Sequence, residues 1–411
     1  MSKPVFDVVV FGASSFVGQI LCAYMASRFG TSKDAELSWA AAGRSESKLR
    51  SLKESLGPAA SKLTLIQADS NDEAALRVLC AQARVVVTTV GPYALYGETL
   101  VRVCAETGTD YCDLTGETPW IKRMIDTYEA TAKKSGARLV HCCGFDSIPS
   151  DLGVWFLQQQ ADKQFGKPCT SVKMRVKAMR GGASGGTVAS LMNVVREAVA
   201  DPALRKMLAN PYSICPPSYA SKVRQPSVRG AVYDQDFGAW SAPFVMAAIN
   251  TRIVFRSNAL LAQAYGKEFT YEEAMLTGAG LPGRLAALGL TAGLGGFTVA
   301  AAIPPSRWFL EKFVVPAPGA GPSPQAQEKG FYDLRFLGKT DDGQSLRVKV
   351  TGDRDPGYGS TAKMLGQAAA CLALDIAKTR KAGGFWTPAS IFGDKLIKRL
   401  QSDAGLKFEL I

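Results

Sequence analysis

Residues 8–21 read VVVFGASSFVGQIL. An apolar run ends at Gly12, a turn of small residues follows, and a helical pattern opens at Phe16 and Val17 and carries Gly18. Strand, glycine turn and helix in that order are what a phosphate seat requires. The first turn of a helix leaves backbone N–H groups without intrahelical partners, and its dipole adds partial positive charge there. Gly12 lets the chain turn beside an anion, and Gly18 allows the helix to pack closely on the strand. Where the glycine fingerprint usually has its middle glycine, this chain has Ser15. Ser14 and Ser15 are expected to add hydroxyl donors. Gly12, Ser14, Ser15, Phe16, Val17 and Gly18 therefore form a candidate pyrophosphate seat.

The same unit repeats downstream. Apolar runs at 5–11, 37–42, 63–68, 84–90, 110–114 and 138–143 alternate with helix-like stretches at 16–29, 46–56, 72–82, 97–107 and 119–135. Unbroken runs such as VVVTTV suit strands buried on both faces. Over residues 1–145 this predicts an α/β fold, a Rossmann doubly wound parallel sheet.

The tip of the second strand selects the dinucleotide. A carboxylate there would accept from the adenosine ribose hydroxyls of NAD, but AAAGRSESK places Gly43, Arg44 and Ser45 at the tip. Arg44 can pair with a 2′-phosphate, and Lys48 follows one helical turn later, so NADP is the expected cofactor. Asp69, closing the third strand, is a candidate acceptor for the adenine amino group. Gly91, Pro92 and Tyr93, closing the fourth, bring backbone close to the nicotinamide half.

Composition bounds the rest. A chain of 411 residues suggests at least two domains, and 47% apolar residues can build a core. The 48 Lys+Arg against 36 Asp+Glu give a basic protein, read as solvated surface or as a match for an anionic partner. No Lys/Arg block interleaved with aromatics appears, which disfavours nucleic acid. The nine cysteines form no C-x-x-C pair, and the amino terminus runs straight into a strand with no signal peptide pattern. Reduced cysteines in the cytoplasm are the expectation. A single histidine, His141, disfavours a His-rich metal site or a Ser-His-Asp hydrolase, and no metal is expected.

FGASSFVG, AAGRS, TTVGPY and HCCGFDSIPSDLG together resemble the saccharopine dehydrogenase-like oxidoreductases, and among them the trans-acting enoyl reductase branch of bacteria. DPGYGSTAKML and GGFWTPASIFG resemble the same family, while the long middle is matched only loosely through GGASGGTVAS. The resemblance implies a Rossmann domain, NADP, and reduction of an enoyl double bond on a lipid or polyketide chain.

After Gly153 the pattern changes. VKMRVKA at 172–178 alternates Lys173, Arg175 and Lys177 with apolar residues, as a half-buried antiparallel strand with a solvated basic face would. GGASGG at 181–186 precedes a helix and is a second anion seat to consider; Pro- and Gly-rich text at 316–324 reads as a linker; 332–336 and 345–351 read as strands. Residues 146–360 are thus expected to form an α+β domain for substrate or oligomerisation, and 361–411 a helical segment returning to the first domain. Hydride chemistry needs a proton source beside the substrate. Tyr-x-x-x-Lys is absent, so Asp146 and Ser147 in GFDSIPSD, with Tyr93 from the facing loop, are the catalytic candidates; a helix cap or a packing ring are their plainer roles. No arginine cluster would clamp the carboxylates of saccharopine, although an amino-acid dehydrogenase or a silent lipid-associated NADP-binding protein stays open. Uncharged LAALGLTAGLGGFTVAAAI at 285–303 reads as buried core, a homodimer interface or a peripheral membrane contact, and least well as a single membrane crossing, which would set the carboxyl-terminal motifs opposite the nucleotide domain.

Overall fold

The computed structural model describes residues 4–32, 34–181, 185–219, 221–313 and 321–411. Its strands are, in chain order, β1 Phe6–Phe11, β2 Trp39–Gly43, β3 Thr64–Gln67, β4 Ala83–Thr88, β5 Asp110–Cys112, β6 Arg138–Val140 and β7 Ser171–Arg180. There follow β8 Val232–Asp234, β9 Ala239–Pro243, β10 Thr270–Gly278, β11 Phe331–Lys339, β12 Ser345–Gly352, β13 Gly384–Trp386 and β14 Leu406–Leu410. The chain forms two compact units, one chiefly of residues 1–146 and 357–405, the other chiefly of 147–356 and 406–411.

The first unit is a parallel sheet in the order β13-β6-β5-β4-β1-β2-β3. Val8, Val9, Val10, Val85, Val86 and Val87 are fully buried, as unbroken apolar runs require of central parallel strands. Helices Phe16–Phe29, Glu46–Ser55, Glu73–Gln82, Glu98–Thr107 and Thr118–Ser135 make the crossovers. The strand order reverses between β1 and β4, opening the crevice at their carboxyl ends where such sheets bind ligands.

Helix Thr361–Leu374 returns to this unit and lies against helix Phe16–Phe29. Gly366 permits the approach, since a Cβ there would stand 3.0 Å from the Tyr24 ring and 3.2 Å from Leu21. The stretch expected as purely helical also carries two strands. β13 extends the parallel sheet beside β6, and β14 pairs with β12 in the other unit. β13 is three residues long and shows no periodicity to read.

The second unit is a mixed sheet in the order β14-β12-β11-β7-β10-β9-β8. Val172, Met174, Val176, Leu334, Phe336, Val348 and Val350 are buried, and helices Ile148–Phe165 and Ala247–Leu260 pack on the sheet. Gly153 makes room for Phe336, whose ring a Cβ would meet at 2.3 Å. β7 departs from expectation: it is central, antiparallel to β11 but parallel to β10. Its basic face is not simply solvated either, because Arg175 is 2% exposed and bonds Asp234 at 2.7 Å and Glu272 at 2.5 Å. Residues 182–184 of the GGASGG turn and 316–320 of the Pro- and Gly-rich stretch lie outside the described residues.

The apolar segment forms helix Gly280–Ala302, packed on β9, β10 and the helix Gly185–Ala200. Its buried residues are Gly283, Ala287 and Ala301, so it is not core of the unit. Leu281, Leu285, Leu288, Leu290 and Val299 are exposed.

One buried ion pair holds the returning chain. Arg138, 2% exposed, meets Asp110, 1% exposed: its backbone N–H donates to Asp110 Oδ1 at 2.9 Å and its Nε to Oδ2 at 3.1 Å. The same guanidinium donates to the carbonyls of Ile376 at 2.6 Å and Leu372 at 3.2 Å. Arg138→Ala would leave a buried carboxylate and two carbonyls without this donor. The expected loss is about 3–5 kcal/mol in urea unfolding, whereas a loss under about 1 kcal/mol would show that the pair is not a fastening of the fold.

Candidate nucleotide and substrate site

At the opening loop Gly12 has φ +84°, and a Cβ there would come within 2.7 Å of Val90 Cγ2 and 2.9 Å of Thr89 Oγ1. A Cβ on Gly18 would come within 2.1 Å of the Gly12 carbonyl oxygen. Both glycines are therefore demanded by close backbone approach, not by turn propensity alone. The hydroxyl protons can be counted. Thr89 Oγ1 donates to the Gly12 carbonyl at 3.0 Å, so Ser15 Oγ, 2.8 Å from Thr89 Oγ1, spends its own proton there while accepting from Gly18 N–H at 2.9 Å. Ser15 N–H donates to the Gly12 carbonyl at 2.9 Å. Ser15 is thus the helix N-cap and a loop brace, not the phosphate donor expected of it. Among the described residues, the N–H groups of Ser14, Phe16 and Val17 and the Ser14 hydroxyl donate to no protein acceptor. These donors at a helix amino terminus fit a pyrophosphate.

At the adenosine end Arg44 follows β2 with its side chain 81% exposed, 3.8 Å from Asp69 Oδ2. It is free to swing onto a phosphate. Ser45 caps helix Glu46–Ser55, accepting from Lys48 N–H at 3.4 Å, so its hydroxyl serves the helix. The Lys48 side chain is exposed one turn on. Asp69 Oδ1 accepts from Asn71 N–H at 2.9 Å, which orients that carboxylate beside Arg44.

At the nicotinamide end the Gly91-Pro92-Tyr93 turn is held by a residue that sequence reading passed over. Glu117, 2% exposed, accepts from the N–H groups of Tyr93 and Ala94, both at 2.9 Å. Tyr93 itself is buried, donates its hydroxyl to the Thr88 carbonyl at 3.0 Å and packs its ring 5.4 Å from Trp120. Burial, with Asp113 nearby, pushes its phenol well above the usual range. These contacts favour the packing role of Tyr93 over that of proton donor. His141 is also buried: its Nδ1 meets Asp113 Oδ2 at 2.6 Å, and its ring stacks on Phe385 at 5.5 Å. Asp113 accepts from Tyr111 Oη at 2.9 Å and from Cys142 N–H at 3.1 Å. The acidic residues in the loops after β5 were the available signal for this network. They read as loop polarity until β5 and β6 are paired.

Asp146 stands apart from these bonded groups. It follows β6, half-buried, with Oδ1 near Gly116 and Oδ2 near Gly144, where a Cβ would lie 3.6 Å and 3.1 Å away respectively. Burial, reinforced by the Asp113 carboxylate, pushes its carboxyl up to about 7. Ser147 begins the other unit, fully buried, and donates to Asn250 Oδ1 at 3.0 Å. It neither caps its helix through the side chain nor presents a free hydroxyl, which corrects its candidacy. Among the described residues no group of three or more His, Cys, Asp or Glu could hold a metal ion.

Two substitutions separate cofactor contacts from scaffolding. Arg44→Asp should weaken NADPH binding by about 30- to 1,000-fold, roughly 2–4 kcal/mol, and NADH binding far less, in calorimetric titration. An unchanged NADPH dissociation constant would remove Arg44 from the site. Ser15→Ala should lower stability by about 1 kcal/mol through the lost cap, read as a drop in the thermal midpoint. A change in NADPH affinity without that drop would restore Ser15 as a direct donor.

Comparison with known proteins agrees with this geometry. Residues 8–140 match the family described as saccharopine dehydrogenase NADP binding domain. A Mycobacterium tuberculosis protein named as a trans-acting enoyl reductase is 40% identical over 98% of this chain and 97% of its own length. The trans-acting enoyl reductase of Mycobacterium bovis is 37% identical, with 96% of this chain and 95% of that one covered. Among solved structures, saccharopine dehydrogenase from Saccharomyces cerevisiae superposes with a TM-score of 0.52 at 16% identity, covering 99% of this chain and 100% of its own, a likeness of fold. On these relatives the chain belongs to the trans-acting enoyl reductase family of saccharopine dehydrogenase-like proteins and is an NADP-dependent oxidoreductase.

Proposed function

We propose that this protein reduces the carbon–carbon double bond of an enoyl thioester on a lipid or polyketide-type chain, with Asp146 as the proton donor. The observation that carries the reading is the place of the Asp146 carboxyl, half-buried after β6 at the carboxyl end of the sheet beside Gly116 and Gly144, where burial pushes it up to about 7. NADPH, when bound, supplies the hydride. The N–H groups of Ser14, Phe16 and Val17 would hold its pyrophosphate, Arg44 its 2′-phosphate, and the Glu117-braced turn at Gly91 would border its nicotinamide half. Saturating an enoyl bond also requires a proton at carbon, and an acid with a pKa near the working pH balances availability against driving force. Tyr93 and His141 are buried at 4% and 2% exposure, whereas Asp146 is half-buried, which favours Asp146 as the group that exchanges protons with substrate or water. The names of the relatives favour an acyl chain, and a chain tethered to a carrier protein is the form of substrate we favour. The fuller reading adds a homodimer and a cytoplasmic setting, which the nine free cysteines suit.

The test compares substrates and then titrates. Purified protein should oxidise NADPH with a 2-enoyl thioester and not with 2-oxoglutarate plus an amine. The reverse preference would make it an amino-acid dehydrogenase, and no turnover with either a silent binding protein. Because the protonated form of Asp146 is the active one, kcat should fall as pH rises through about 7. Asp146→Asn should lower kcat by about 10²- to 10⁴-fold and abolish that limb with little change in NADPH affinity. A variant that keeps both rate and pH limb would remove Asp146 from catalysis.

A further inference from the structure

We propose that helix Gly280–Ala302 and the helix Pro304–Phe313 after it form a docking surface for an anionic lipid bilayer. The first helix has 23 residues, which at 1.5 Å per residue extends about 35 Å. Gly283, Ala287 and Ala301 are buried, and Thr291 and Leu294 are half-buried between them, one stripe at helical spacing. Outside that stripe the helix is equally apolar: Leu281 is 65% exposed, Leu285 59% and Val299 59%. A helix apolar all round is ordinarily enclosed, and an exposed patch of this kind marks an interaction surface.

The charges around it identify the occupant. Over residues 274–313 the chain has one carboxylate, Glu311, against three cations, Arg284, Arg307 and Lys312. Arg284 has no acidic partner among the described residues. Arg284 stacks on Trp240 at 5.4 Å. Past the helix end Trp308 and Phe309 are 57% and 53% exposed, and Lys312 Nζ sits 4.9 Å from the Trp308 ring centre. Aromatic rings with cations beside them suit the lipid headgroup level. A second copy laid along helix Gly280–Ala302 would bring the two Arg284 side chains together with no carboxylate from that helix to meet them, whereas anionic headgroups neutralise the net positive charge of the two helices. The seated stripe also decides between lying and crossing. With one long side packed on β9 and β10, the helix cannot be surrounded by lipid, so it lies along the surface. This inference does not depend on the enoyl assignment.

The experiment is flotation of the purified full chain with vesicles of phosphatidylcholine alone or with phosphatidylglycerol, with light scattering on the same samples. The protein should float with the anionic vesicles, less in high salt, and little with the neutral ones. Leu285→Glu with Leu288→Glu, both at exposed positions, should cut the floated fraction by about tenfold or more, because two carboxylates would enter the interface. NADPH binding should be retained, which shows the variant is folded. Three results would overturn the proposal: no flotation of the native protein, flotation unaffected by the substitutions, or a native dimer that the double variant converts to monomer without any vesicle binding.

Discussion

The buried Arg138–Asp110 pair is the contact on which the first unit depends. It joins β5 to β6 and reaches the carbonyls of Leu372 and Ile376, some two hundred residues later in the chain. The chain leaves this unit after Asp146 and, apart from a short touch ending at Gly321, re-enters at Gly357, so local sequence cannot fasten the return. A charged donor with five N–H groups can serve a carboxylate and two carbonyls at once, which no apolar contact could direct as sharply. Close packing at Gly366 then seats the returning helix against the one that opens the nucleotide loop. The loop geometry thus rests on residues from both ends of the chain.

Within that loop, counting donors distinguishes holding the backbone from holding a ligand. Ser15 replaces the usual glycine and uses its hydroxyl to cap the helix and tie Thr89 to Gly12. The donors left over are the N–H groups at the helix start, where an anion is favoured by the dipole as well. The same division recurs at the other end of the crevice. Glu117, Asp113, Tyr93 and the Nδ1 side of His141 are occupied with one another or with backbone, His141 Nε2 is buried without a partner, and Asp146 is half-buried beside two glycines with its carboxyl raised.

The second unit combines a paired polar interior with an uncovered apolar exterior. Arg175, Asp234 and Glu272 satisfy one another in the sheet, and Asn250 links Ser147, Ser150 and Glu273 between helices and strand. Burial, only partly offset by Tyr271 and Asn250, pushes the Glu273 carboxyl up to about 7. Groups so bonded specify a packing arrangement and are poor candidates for chemistry. Apolar side chains exposed on helix Gly280–Ala302 carry the opposite message, since none of the described residues of the unit covers them.

Much of the first unit was legible in the chain. Apolar runs and helix periodicity placed its first six strands and the helices between them to within a residue or two at most ends, because parallel strands buried on both faces must be continuously apolar. The glycines were legible for a like reason, since close approach demands that residue type at particular steps along one strand–turn–helix unit, and Arg44 was legible as the exposed cation at the tip of β2. Proton allocation was not legible. Whether Ser15 braces or binds, whether Tyr93 donates, and whether Ser147 is free depend on Thr89, Thr88 and Asn250, which lie between 5 and 103 residues away. Nor were β13, the parallel partner of β7, or the exposure of the apolar helix. Sequence determines which side chains are apolar, charged or small and at what period. Only tertiary structure decides which of them meet, because a hydrogen bond, a raised carboxyl and a covered face are properties of neighbours in space.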